Sequence, residues 1–198
     1  ALHYDDTAVY LHAAPMFHLA DMANTFAVTM VGGTHVAIPR FDVDDVLTTV
    51  ARERVTHTVL VPTMINLLIS SGKVGDHDVS SLRRMLYGAS PMPEAVLLRA
   101  MAALPGVGFT QGYGQTEGMT MTFLSQEDHV AAMRGEHPER LASCGREGFV
   151  TSVKLVDAQG KTVPKDSKTP GEILVQSDAN MVAYWRRPDL TAQTLREG

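Results

Sequence analysis

The chain has 198 residues, 44% hydrophobic and 20% charged, with a formal net charge of -5. That is an ordinary globular composition with enough apolar material for one sizeable core, and it lacks the basic runs and aromatic-basic interleaving of a nucleic-acid binder. The single Cys144 excludes an intrachain disulfide, and no charged-then-apolar leader or membrane-length apolar run is present, so a reducing, cytoplasmic setting without a membrane span is expected.

In chain order, Ala8 to Ala13 reads as a buried strand and Asp21 to Val31 as a helix stopped by Gly32 and Gly33. Thr34 to Ile38 follows as a strand. Asp42 is placed to cap a helix whose Val43, Val46, Leu47 and Val50 fall at i, i+3, i+4 and i+7, which turns one face to a sheet. Val55 to Val61 is β-branched and reads as a strand, and Pro62 suits the first turn of the next helix. The unit repeats with strand Arg84 to Tyr87, a Gly-Ala-Ser-Pro turn, a helix from Pro93, and strand Val107 to Gln111. Such alternation predicts an α/β fold with a doubly wound, mostly parallel sheet and helices on both faces. Ligands of that architecture sit beyond the carboxyl ends of the strands, so the turns after Tyr87 and after Gln111 are the places to inspect.

Beyond about Glu127 the texture changes to a polar helical stretch ending near Arg134, then β-rich runs at Thr151 to Val156 and Gly171 to Val175. Asp157-Ala158-Gln159-Gly160 reads as a turn between β segments. The expected division is an α/β subdomain over 1–142 and part of a smaller β-rich subdomain over 143–198.

The chemistry concentrates in Gln111-Gly112-Tyr113-Gly114-Gln115-Thr116-Glu117-Gly118. Glycines let a backbone approach a ligand closely, and Tyr113 offers a flat face on which a base can stack. Thr116 is suited to donate to a phosphate oxygen. Glu117 repels phosphate and is better suited to hold the Mg²⁺ that neutralises it. The same residues taken alone also make a plain structural turn. Met119 and Met121 could face an apolar substrate or fill the core, and Trp185 reads as packing. The eight histidines have no metal-site spacing and read as surface or hydrogen-bonded residues.

Tyr87-Gly88-Ala89-Ser90-Pro91, then Gln111-Gly112-Tyr113-Gly114-Gln115-Thr116-Glu117, then Gly171-Glu172-Ile173 and Tyr184-Trp185-x-x-Pro188 resemble the adenylate-forming superfamily in its usual order. Pro15-Met16-Phe17-His18 and Val61-Pro62-Thr63-Met64 extend the resemblance over essentially the whole chain. It implies that Gly88, Ala89 and Ser90 line the adenine and that Tyr113 stacks on it. Gln111, Gly112 and Gly114 complete the nucleotide segment, Thr116 contacts the α-phosphate, and Glu117 ligates magnesium. Thr116 and Glu117 are thus the implied catalytic pair. Gly112 and Gly114 border the acyl group, and His18 stands near the entrance to its pocket.

The implied reaction joins a carboxylic acid to ATP, giving an acyl-adenylate and pyrophosphate, and then passes the acyl group to coenzyme A. Ala183, where relatives carry glycine, is a departure from the pattern. No lysine-bearing phosphate loop precedes Pro15, and the sequence ends at Glu197-Gly198 before the expected ribose-binding aspartate, so an inactive internal fragment of a longer ligase is expected. Within the superfamily, a carrier-loading adenylation domain or a luciferase-like enzyme stays open, and so does a homodimer. From other classes, an NAD(P)-dependent oxidoreductase is suggested by Gly112-x-Gly114-x-x-x-Gly118, although Glu117 would repel a pyrophosphate there, and a non-catalytic scaffold also remains.

Overall fold

The computed structural model describes residues 2–196, so Glu197-Gly198 lies outside the described residues. Strand β1 (Val9–His12) leads into helix α1 (Leu19–Met30), and β2 (Thr34–Ala37) into α2 (Val43–Glu53). Next come β3 (His57–Leu60) and α3 (Pro62–Ser70), then β4 (Arg84–Gly88) and α4 (Glu94–Ala103). Strands β5 (Gly108–Gln115) and β6 (Met119–Leu124) precede α5 (Gln126–Met133), and β7 (Arg146–Glu147) follows it. Last are β8 (Thr151–Val156), β9 (Glu172–Ser177) and α6 (Pro188–Thr194).

The first seven strands form one sheet in the order β2-β1-β3-β4-β5-β6-β7, and β8 pairs with β9 in a separate two-stranded sheet. Pairing is parallel from β2 to β5 and antiparallel from β5 to β7. A mostly parallel α/β sheet is therefore present, as the alternation predicts. The large sheet reaches Arg146–Glu147, past residue 142, and the small sheet starts at Thr151.

Local sequence explains most elements. Asp42 caps α2, its carboxylate accepting from the Asp44 and Asp45 amides at 2.9 and 3.2 Å, and Val46, Leu47 and Val50 are buried against the sheet. Each such side chain contributes about 2 kcal/mol by leaving water, more than its rotamer entropy costs. The core continues through Leu11, Leu60, Ile65, Met85, Tyr87, Leu97 and Phe109. Among the described residues no helix is long and apolar enough to cross a membrane.

One expectation is corrected. The strand ending at Gln111 continues to Gln115, so Gly112, Tyr113 and Gly114 are strand and not turn. The reason is β6, which the sequence reading did not assign: it pairs Gly112 with Phe123 and Tyr113 with Thr122, and this partner overrides the low strand preference of glycine. Met121 is core, whereas Met119 is exposed.

Helix α1 is clamped to the sheet by polar groups. Asp21 is fully buried and accepts from the Tyr10 hydroxyl at 2.8 Å, while His12 Nδ1 lies 2.6 Å from its other oxygen. His12 Nε2 meets His35 Nδ1 at 2.9 Å, and His35 Nε2 meets Thr29 Oγ1 at 3.0 Å. Both ends of the helix are thereby tied to β1 and β2. A buried carboxylate is tolerated only with partners of this kind.

Candidate active site

The Gly-Ala-Ser-Pro turn leaves the carboxyl end of β4. Gly88 pairs with Gly112 in the neighbouring strand, and a Cβ at Gly88 would collide with the Gly112 carbonyl oxygen, so glycine is required by the closeness of two backbones. Ala89 adopts a left-handed conformation, φ 64°, and both Ala89 and Ser90 are exposed. A non-glycine residue held there costs on the order of 1–2 kcal/mol, and such strain gathers where a turn serves a ligand.

Beside it, β5 and β6 form a hairpin with a register shift between Tyr113 and Gly114. Gly114 is again sterically required, since a Cβ would strike the Met119 carbonyl. The tip, Thr116 to Gly118, is closed by the Gly118 amide donating to the Gln115 carbonyl at 3.1 Å. Tyr113 and Thr116 are exposed and free to meet a ligand. Gln111 is half-buried, its side-chain oxygen 3.3 Å from the Tyr87 hydroxyl.

Glu117 is half-buried, and one of its carboxylate oxygens accepts from the Tyr184 hydroxyl at 2.7 Å. Among the described residues, no group of three His, Cys, Asp or Glu side chains is arranged to hold a metal. Magnesium needs no such cage where a nucleotide supplies oxygens, because one or two carboxylates plus phosphates and waters complete its shell. Glu117 at an exposed hairpin tip, with one oxygen unengaged by any described residue, fits that donor set.

A cavity of about 390 Å³ opens next to these turns, within the size range of small-molecule sites. Ala20, Ala23 and Ala27, on one face of α1, form one wall. The ends of β3 and β4 and Phe123 of β6 form others, and Gly88, Ala89 and Gly112 lie in its lining. Its surface is mainly apolar, with polar side chains at Tyr4, Asn24, Thr120 and Thr151, and the Tyr4 hydroxyl donates to Asn24 at 2.8 Å. A second hollow of about 430 Å³, between Ala183 and Leu195, is lined by Tyr184 and Pro188 of the late motif but by none of the expected site residues.

The structure thus gathers Gly88, Ala89 and Gly112 at the cavity and sets Tyr113, Gly114, Thr116 and Glu117 on the adjoining hairpin. His18 stands at the exposed start of α1 against Phe17, with ring centroids 4.6 Å apart, and neither His18 nor Gly114 lines the cavity. Sequence reading missed the alanine face of α1 and the lining residues Thr120, Phe123 and Phe149. The i, i+3, i+7 spacing of Ala20, Ala23 and Ala27 was the available signal for the first. The dinucleotide reading also fails here, because its glycines must open a helix, whereas Gly112 and Gly114 lie on β5 and Gly118 in the turn to an antiparallel strand.

Beneath the cavity, the Tyr87 hydroxyl meets His129 Nε2 at 2.8 Å and His129 Nδ1 faces the Ser125 carbonyl at 2.6 Å. Nδ1 donates to the carbonyl, and in the neutral ring Nε2 accepts the single Tyr87 proton. Burial pushes this imidazole below its ordinary pKa, against the opposing pull of the Ser125 carbonyl and Asp128. Burial likewise lowers His57 and His35. The unfolded chain takes up these protons below about pH 6.5 and the folded chain resists them. Stability is therefore complete above that value and falls as the pH drops toward the folded pKa values. Thermal midpoints measured from pH 7.5 to 5.5 should decline steadily; a flat profile would remove these imidazoles as determinants of stability.

The profile of the AMP-binding enzyme family matches residues 1–185. Feruloyl-CoA synthase from Amycolatopsis sp is 37% identical over 189 residues, which are 95% of this chain and 36% of that protein. The medium/long-chain-fatty-acid–CoA ligase FadD8 of Mycobacterium tuberculosis is 34% identical, over 96% of this chain and 31% of its own. Among solved structures, the amide bond synthetase McbA from Marinactinospora thermotolerans superposes with a TM-score of 0.86 at 30% identity, covering 98% of this chain and 37% of that one. The o-succinylbenzoate CoA synthetase of Bacillus subtilis, in complex with ATP and magnesium, gives 0.82 at 27% identity, covering 100% and 38%. The chain spans about a third of the length of the curated relatives it matches.

Proposed function

Because the chain belongs to the AMP-binding enzyme family, we propose that it supplies the adenine-, magnesium- and acyl-facing side of an ATP-dependent carboxylic acid:CoA ligase. The observation that carries this reading is the meeting of an apolar cavity with Gly88, Ala89 and Gly112. An acid seated in the cavity would present its carboxylate where the nucleotide-binding turns converge. CoA is the preferred acceptor because feruloyl-CoA synthase and FadD8 are CoA ligases. The reading places the protein in the cytoplasm. Segments that its relatives carry beyond this third of their length are needed for the complete reaction.

In this reading the exposed ring of Tyr113 stacks on adenine, and the backbone of Gly88 to Ser90 borders its edge. Thr116 donates its hydroxyl proton to an α-phosphate oxygen. The acid is held by the alanine wall of α1 and by Gly112, and its carboxylate attacks the α-phosphorus as the bond to the departing pyrophosphate breaks, without any protein nucleophile, so rate comes from positioning and charge neutralisation. Magnesium held at Glu117 would supply the neutralisation. Pyrophosphate exchange into ATP by the full-length protein that carries this chain tests the proposal. Exchange is expected only when an aliphatic or aromatic carboxylic acid is added. A panel of such acids giving no exchange, while NAD(P)H is oxidised, would replace the ligase reading.

A further inference from the structure

Tyr184 lies in a segment that is poorly packed: Val182 is 93% and Trp185 85% exposed. Yet the segment reaches 67 positions back to the hairpin tip. The Tyr184 hydroxyl donates to one Glu117 oxygen at 2.7 Å, and the Met181 amide donates to the Glu117 carbonyl at 2.7 Å. Side chain and main chain of the same residue are thus held from one short stretch. Among the described residues, no Lys, Arg or His forms an ion pair with Glu117. Its carboxylate therefore has a neutral donor on one oxygen and an uncompensated negative charge, on a tip that would otherwise let the side chain sample several rotamers.

We infer that Tyr184 is a positioning residue: by engaging one carboxylate oxygen of Glu117 it fixes the rotamer and turns the other oxygen toward a divalent cation bound with the nucleotide. The inference rests on the metal role proposed for Glu117. A hydroxyl donor suits this task where a lysine or arginine would not, because a cation at the same distance would neutralise the carboxylate and compete with the metal. Partners that orient a ligand in this way typically govern metal affinity as strongly as many ligands do. Packing alone does not account for the contact, since the neighbouring Trp185 and Val182 bury little.

The test uses the full-length protein carrying Tyr184→Phe, Glu117→Gln, or both, with calorimetric titration of ATP in EDTA and at graded Mg²⁺, and thermal midpoints alongside. Tyr184→Phe keeps the ring and removes only the donor. It should raise the Mg²⁺ concentration needed for half-maximal tightening of ATP binding by about tenfold, leaving affinity in EDTA unchanged. Glu117→Gln should raise it at least as much, and the double variant should add nothing further, as expected for residues acting through one contact. If Glu117→Gln shifts the Mg²⁺ requirement and Tyr184→Phe does not, the positioning role is overturned and the metal role stands. If Glu117→Gln leaves it unmoved, the metal role fails and the inference with it. A Tyr184→Phe variant that loses affinity in EDTA together with its thermal midpoint would mark the hydroxyl as purely structural and also overturn the inference.

Discussion

Glu117→Gln in the full-length protein is expected to lower adenylation turnover by roughly a hundredfold, the scale on which one preorganised charge-stabilising group acts. The substitution preserves shape and the acceptor that Tyr184 uses, but removes the negative charge proposed to hold magnesium. In that role the charge matters most as phosphate charge develops, so at a magnesium concentration that saturates the unsubstituted protein turnover should fall more than ATP affinity, and excess magnesium should restore part of it. Tyr113→Ala is the informative contrast. Its ring is 38% exposed and in the proposed stacking role would contribute equally before and during reaction, so its loss should raise the Michaelis constant for ATP while sparing turnover. Adenylation kinetics across magnesium concentration distinguish the two. Wild-type turnover in Glu117→Gln would make Glu117 a structural residue of the tip.

Gly88→Ala should be among the most damaging small substitutions near the site. The added methyl meets the backbone carbonyl of Gly112, which is fixed by the β4–β5 ladder and cannot turn aside as a side chain could. The expected cost is about 3 kcal/mol, the upper range for overpacking, or roughly 6–12 °C in thermal midpoint for a chain of this size. Gly106→Ala serves as the control. Nothing stands within 4 Å of its would-be Cβ, so the same methyl should leave the midpoint nearly unchanged. Differential scanning calorimetry of both variants checks the argument, and equal effects would show that crowding between β4 and β5 is not what demands glycine at position 88.

Much of the fold was legible in local pattern. The apolar stripe of α2, the β-branched run of β3 and the Pro62 start of α3 each follow from short-range periodicity and backbone preference, and all three appear where the sequence puts them. The ordered motifs likewise pointed to the family that the profile match gives. These features are readable because they depend on neighbours within a few residues.

The rest depends on partners far away in sequence. Gly112 to Gln115 reads as a turn by composition and becomes strand because β6 supplies hydrogen bonds that the isolated segment lacks. The alternating face of β6 carries Met119 and Met121, and the hairpin's register fixes that Met121 is buried while Met119 faces the cavity. The grip of Tyr184 on Glu117 spans 67 positions, and the clamp of His12 and His35 on α1 joins two strands to a helix. Local periodicity carries no information about such contacts, because a hydrogen bond or a shared wall depends on where two distant backbones come to rest. Short-range pattern settled most of the helices and parallel strands, the fold class and the residue types of the site; packing settled the β5–β6 hairpin and the distant partner that holds each site residue.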